Sequence, residues 1–157
     1  MSHAEAGERS GRPAVACASL LCAIACWASL ASAGGDRQGN VPPGRYSAQL
    51  FDSINTYRVA HGLPELISAP RLAELALAHS QDMAKAGQLN HDGYRERATR
   101  SGSPMCVENV GWNYPSPDAQ LKAWIASPGH NRNMLDSRVT MAGIGASNAY
   151  VTFIACR

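Results

Sequence analysis

The sequence predicts a single α+β domain, with helices packed around a small antiparallel sheet. Three observations lead there. The chain has 157 residues, room for one domain of ordinary size and not for two. Its middle carries apolar residues at helical spacing, punctuated by Gly and Pro. Its last stretch instead carries two short runs of strand composition joined at a turn residue. Helices followed by an antiparallel pair make an α+β domain or an α-β-α sandwich. With 45% hydrophobic and 17% charged residues, the composition is globular, neither disordered nor fibrous.

The elements follow in order. Leu50, Ile54, Tyr57 and His61 recur at helical spacing, and Gly62-Leu63-Pro64 ends that first helix. A second helix starts near Pro70, with Ser68 or Ala69 at its head. Its inner stripe is Leu72, Leu75, Ala76, His79 and Met83, and Gly87 stops it. Tyr94 to Arg100 reads as a short polar helix. Ser116-Pro117-Asp118 supplies an N-cap, a helix-compatible proline and an acid for the dipole ahead of Leu121, Trp124 and Ile125. Ser127-Pro128 repeats that signal and opens a short helix over residues 129–135. Residues 141–147 and 150–156 have strand composition and join at Asn148, an antiparallel hairpin.

Ahead of these elements lies a different kind of segment. From Pro13 to Ala33 no residue is charged, and Arg9 and Arg12 stand just before the run. It ends Ala31-Ser32-Ala33 followed by Gly34-Gly35, the small-x-small pattern of a signal peptidase site, so residues 1–33 read as a signal peptide. The run is long enough for a retained membrane anchor to be weighed, but its Ala, Ser and Cys content makes it partition weakly into hydrocarbon. Lipid attachment at Cys26, after Ala23-Ile24-Ala25, is a third reading. Membrane contact is thus expected only through an uncleaved signal or a lipid anchor. Residues 34–44 are polar, contain Pro42-Pro43 and read as a linker; the domain proper is 45–157.

Five cysteines are an odd number, but Cys17, Cys22 and Cys26 leave with the signal. Cys106 and Cys156 remain, and in an oxidising compartment a disulfide between them is the natural expectation; two buried thiols are the alternative. The formal net charge of +2 is unchanged by cleavage, because Glu5, Glu8, Arg9 and Arg12 depart together. Near neutrality argues against nucleic acid as a partner. Arg95, Arg97 and Arg100, the nearest thing to a basic cluster, read as a solvated helix face.

Four histidines fall in the domain. His61 reads as an exposed helix-end cation and His79 as a hydrogen-bonded core residue. His91 lies in the turn Asn90-His91-Asp92-Gly93, and His130 in the first turn of a helix, where the dipole disfavours its charged form. Glu108 is flanked by apolar residues and needs a partner, for which histidine serves. Two imidazoles and one carboxylate can hold a divalent transition metal such as Zn2+, with other positions open to water or ligand. A hydrogen-bonded polar cluster that merely organises a loop-rich domain is the alternative. No GxSxG elbow, HExxH zinc helix or GxxxxGK phosphate loop occurs in the sequence, and both mature cysteines are expected to be paired.

Read together, HSQDMA (79–84), NHDG (90–93), ENVGWNY (108–114), Ala123-Trp124, SPGHNRNML (127–135) and GIGAS (143–147) resemble a bacterial CAP (SCP-like) domain. That family is akin to the cysteine-rich secretory, antigen-five and pathogenesis-related proteins. The resemblance covers about residues 47–156. It implies an α-β-α sandwich, a secreted or periplasmic location and a surface cleft with two histidines and acidic residues. His91 matches the first cleft histidine, Glu108 the acid of the EN motif, and His130 the second histidine. The second Glu common in eukaryotic members is missing between Trp124 and His130, with Ser127 near its place; Asn131 stands where bacterial members usually carry Arg.

The resemblance therefore implies an extracytoplasmic ligand-binding module with a cleft of His91, Glu108 and His130. No cofactor is obligatory, and Zn2+ is the metal for which His91 and His130 would serve. The expected partner is a small ligand, a lipid or a cell-envelope component. The alternative is a zinc-assisted hydrolase of peptide or envelope polymers with Glu108 as general base.

Overall fold

A computed structural model describes residues 43–157. The signal peptide and most of the linker expected from the sequence lie outside the described residues. The elements are α1 (Pro43–Ala60), β1 (Ile67–Ser68), α2 (Pro70–Ala86), α3 (Tyr94–Ser101), β2 (Cys106–Trp112), α4 (Pro117–Ala126), α5 (Pro128–Met134), β3 (Met141–Ser147) and β4 (Tyr150–Cys156). Helix α1 thus takes in Pro43 and Gly44, which the composition alone assigned to the linker.

The sheet has strand order β1-β3-β4-β2. The expected hairpin is there, with Met141 opposite Cys156 and Ser147 opposite Tyr150. Two strands add to it. β2 pairs antiparallel with β4 over its whole length, and two-residue β1 pairs parallel with the start of β3, so the sheet is mixed and not purely antiparallel. β1 is too short to leave a periodic signal; it exists because Ile67 and Ala69 donate to Thr140 and Ala142 carbonyls, each at 2.9 Å.

Alternation along the strands sorts the core into two layers. Val151, Phe153 and Ala155 of β4 pack with Leu50, Ile54, Trp124 and Met134, so α1, α4 and α5 cover one face. Ile154 and Cys156 point the other way, onto Leu72, Leu75 and Ala76 of α2. Helix α2 sits unusually close to β3. A Cβ on Gly143 would stand 2.0 Å from Ala73 N, and one on Gly145 2.1 Å from Leu77 N. The approach lets Ser80 Oγ donate to the Gly145 carbonyl (2.8 Å) and bond Thr152 Oγ1 (2.9 Å), which satisfies the buried hydroxyls.

Helix ends behave as their residues dictate. Ser116 caps α4 by accepting from Ala119 N–H, and Gly87 closes α2 in the left-handed region at φ 66°. Arg58 is fully buried, and its guanidinium donates to the carbonyls of Pro64, Met134 and Asp136. It thereby ties the end of α1 to the end of α5. Cys106 and Cys156 form the expected disulfide, joining directly opposed residues of β2 and β4.

Candidate functional site

The turn after α2 delivers His91. Asn90 Oδ1 accepts from Asp92 N–H (2.9 Å) in an Asx turn, Gly93 adopts φ 72°, and α3 begins at once. From below, His79 on α2 bonds the Asn90 carbonyl through Nε2 at 2.9 Å. His79 is buried, as its place on the apolar stripe implied. Burial lowers its pKa, so the neutral ring donates Nε2–H to that carbonyl.

Strand β2 delivers Glu108, whose side chain is only 2% exposed. His91 Nδ1 lies 2.8 Å from Oε1. Arg97 completes the cluster: Nε bonds Oε2 and Nη2 bonds Oε1, each at 2.8 Å, and Nη1 donates to the Asp92 carbonyl. Arg97 is therefore not the solvated helix-face residue expected from the sequence. It is a buried cation held by a fork of charge-assisted bonds to the buried Glu108 carboxylate.

Burial works to raise the Glu108 carboxyl. The hydrogen bonds from His91 and Arg97, together with the Arg97 charge, outweigh it and hold the group below the ordinary carboxylate range. An ionised carboxylate can only accept, so His91 Nδ1 carries a hydrogen. When that ring is neutral its lone pair sits on Nε2, and the ring is half exposed.

His130 arrives from the opposite layer, in the first turn of α5. Its ring lies 6.2 Å from that of Trp124. Its backbone carbonyl accepts from Asn109 Nδ2 at 3.0 Å. Asn133 Nδ2 bonds both Asn109 Oδ1 (2.9 Å) and the Glu108 carbonyl (3.1 Å), so two amides lock α5 against β2. Burial lowers the pKa of His130 and the nearby His91 charge lowers it further, which favours the neutral ring. The structure thus joins His91 to Glu108 directly, whereas His130 stands on α5 bonded to neither and outside the residues that line the depression between them.

The α3 and α5 sides meet across the outer edge of β2. A depression of about 210 Å³ there is bounded by His91, Tyr94, Cys106, Val107, Glu108 and Asn133. Among the described residues no group of three or more His, Cys, Asp or Glu side chains is placed to hold a metal ion. Both Glu108 oxygens are already engaged, so the metal-ligand set drawn from the sequence reduces to two imidazoles, short of the three protein ligands of catalytic zinc.

Asn109, Asn133 and Tyr94 were not singled out as site residues by the sequence, and Arg97 was read there as part of a solvated face. A trace existed for the helix: Tyr94, Arg97 and Ser101 recur at i, i+3 and i+7, an inner stripe made of polar residues that a search for apolar periodicity passes over.

The family model for the cysteine-rich secretory protein family, CAP, matches residues 51–156. The chain belongs to the CAP family. The membrane protein YlbC of Bacillus subtilis (strain 168), itself uncharacterized, is 30% identical over 111 residues, covering 66% of this chain and 32% of the relative. This CAP chain therefore spans well under half of that relative's length. An extracellular SCP-domain protein from Bacillus anthracis has a similar structure, with TM-score 0.70, 28% identity, and coverage of 73% of this chain and 41% of the other. An outer surface protein of Borrelia burgdorferi shares the fold at TM-score 0.64 and 15% identity, over 70% of this chain and 90% of that one. Among the described residues no helix is long and apolar enough to cross a membrane.

Proposed function

We propose that this CAP domain is an extracytoplasmic binding module whose cleft takes up a small ligand or an envelope component without hydrolysing it. The observation that carries this is the state of Glu108. A general base must reach a water or substrate proton and accept it near neutral pH. Glu108 is 2% exposed, its two oxygens accept three bonds, and its pKa is held down. It acts instead as a positioning residue that fixes the His91 ring and leaves Nε2 toward the cleft.

The extracytoplasmic placement is supported by the disulfide and by the similarity to an extracellular SCP-domain protein of Bacillus anthracis. His91 and His130 are the donors that a divalent transition cation would use, its remaining positions filled by water or by the ligand. Calorimetric titration with zinc, run on the protein and on its His91→Ala, His130→Ala double variant, tests that part; the expected result is uptake by the first and none by the second. Release of fragments from casein or peptidoglycan by the zinc-treated protein, abolished in Glu108→Gln, would overturn the binding reading in favour of the hydrolase.

A further inference from the structure

The outer edge of β2 carries a pattern of satisfied and open main-chain groups that specifies more than an empty cleft. Asn113 N–H donates to the Ala149 carbonyl and Arg157 N–H to the Met105 carbonyl. Those two bonds set the phase of the ladder: odd-numbered residues exchange bonds with β4, and even-numbered residues point their main-chain groups away from it. The outward carbonyls of Cys106, Glu108 and Val110 accept from Tyr94 Oη, Asn133 Nδ2 and Trp124 Nε1. Side chains from α3, α4 and α5 thus block this edge against a further strand.

None of the outward N–H groups of Cys106, Glu108, Val110 and Trp112 is bonded among the described residues, and of these only Glu108 is both a buried residue and part of the depression's lining. Glu108 N–H lies between the carbonyls that Tyr94 and Asn133 occupy, and no acceptor among the described residues bonds it. Glu108 is a buried residue, so an N–H there without a partner is costly, and it opens on the depression that His91, Tyr94 and Asn133 wall in.

We propose that this pocket binds a secondary amide, presented as the acetamido group of an N-acetylated ligand. The acetamido carbonyl accepts from Glu108 N–H, and its N–H donates to Nε2 of His91. The inference rests on reading the cleft as a binding site. The buried Glu108 donor and the bare His91 Nε2 acceptor, both on residues lining the pocket, match the two ends of a neutral amide. An anion would satisfy only the donor and would leave the Nε2 lone pair without a hydrogen to accept. An extended peptide would need the flanking carbonyls that side chains have already taken. The volume is below the roughly 300–1,000 Å³ of pockets that hold drug-sized ligands, which suits a single small group.

The test is a titration of the full 15N-labelled chain, followed at the Glu108 amide, with N-acetylglucosamine, N-methylacetamide and glucosamine. The expected result is a saturable downfield shift of the Glu108 amide proton with the two acetamides and none with glucosamine. His91→Asn keeps a donor for the Glu108 carboxylate through its side-chain amide but lacks Nε2, and should weaken acetamide binding about tenfold, the equivalent of one hydrogen bond. An unmoved Glu108 amide, an equal response to glucosamine, or unchanged affinity in His91→Asn overturns the proposal. If resonances of His91 or Tyr94 move while the Glu108 amide does not, the amide mode fails and the cleft remains a binding site. If nothing moves, the amide mode fails and the zinc titration decides the binding reading separately.

Discussion

Glu108→Ala strands the Arg97 guanidinium in a buried site, with the Asp92 carbonyl as its remaining partner. Removing one member of a buried pair costs about 3–5 kcal/mol, and chemical denaturation of Glu108→Ala should show a loss of that size. The same residues set the acid limb of stability. The folded pKa of Glu108 lies below its unfolded value, so the unfolded chain takes up the proton first as pH falls. Its contribution is whole above about pH 4.3 and is lost as pH drops through the folded value. His79 and His130 are also lowered, chiefly by burial. Their neutral forms favour the folded state above about pH 6.5, and stability falls below that pH as the unfolded histidines charge. Melting temperatures across pH 7.5 to 5 should decline in the wild-type chain, and His79→Gln should flatten part of that decline. At this scale the sequence pointed to His91, Glu108 and His130 through the short motifs that carry the family resemblance, and the structure brings the first two into contact. The sequence hid Arg97, since a buried arginine and a solvated one look the same until the acid that buries it comes into contact.

Helix α2 and β3 depend on two missing side chains. A Cβ on Gly143 or Gly145 would overlap α2 backbone, which cannot swing aside as a flexible side chain can. Gly143→Ala and Gly145→Ala should each destabilise by about 1–3 kcal/mol or more, with the helix displaced from the sheet, as read by denaturant midpoints. A different outcome is expected at Gln120, buried on α4 with both side-chain amide atoms unpartnered. Gln120→Met removes those atoms at similar volume and should leave stability unchanged or raise it by about 1 kcal/mol. Helices α1, α2 and α4 were legible because each combines apolar residues at helical spacing with a proline or glycine signal at one end, whereas α3 was legible as a polar run and α5 from its Ser-Pro start. β2 was harder to see: its Glu108, Asn109 and Gly111 break the strand pattern, and its outer edge is satisfied by side chains of the helices before and after it rather than by another strand.

At the scale of the whole molecule, the disulfide closes a loop spanning 50 positions and fastens the cleft's edge strand to the centre of the sheet. Reduction should cost about 4 kcal/mol in the chain-entropy picture, and a reduced sample should show a correspondingly lower denaturant midpoint. The two-layer architecture explains why the site was only partly readable. His91, Glu108 and Arg97 belong to the α2–α3 side, while His130 and Asn133 belong to the α5 side, and only the packing of both onto β2 brings the two sides together. The cleft works, in this account, because an ionised and shielded Glu108 holds His91 with its Nε2 lone pair free. The most direct test is the tautomeric state of His91, measured by 15N NMR of the imidazole nitrogens at neutral pH. In the neutral ring the hydrogen is expected on Nδ1, facing the Glu108 carboxylate, with the lone pair on Nε2, a pattern lost in Glu108→Gln. A hydrogen found on Nε2 with Nδ1 bare would contradict it.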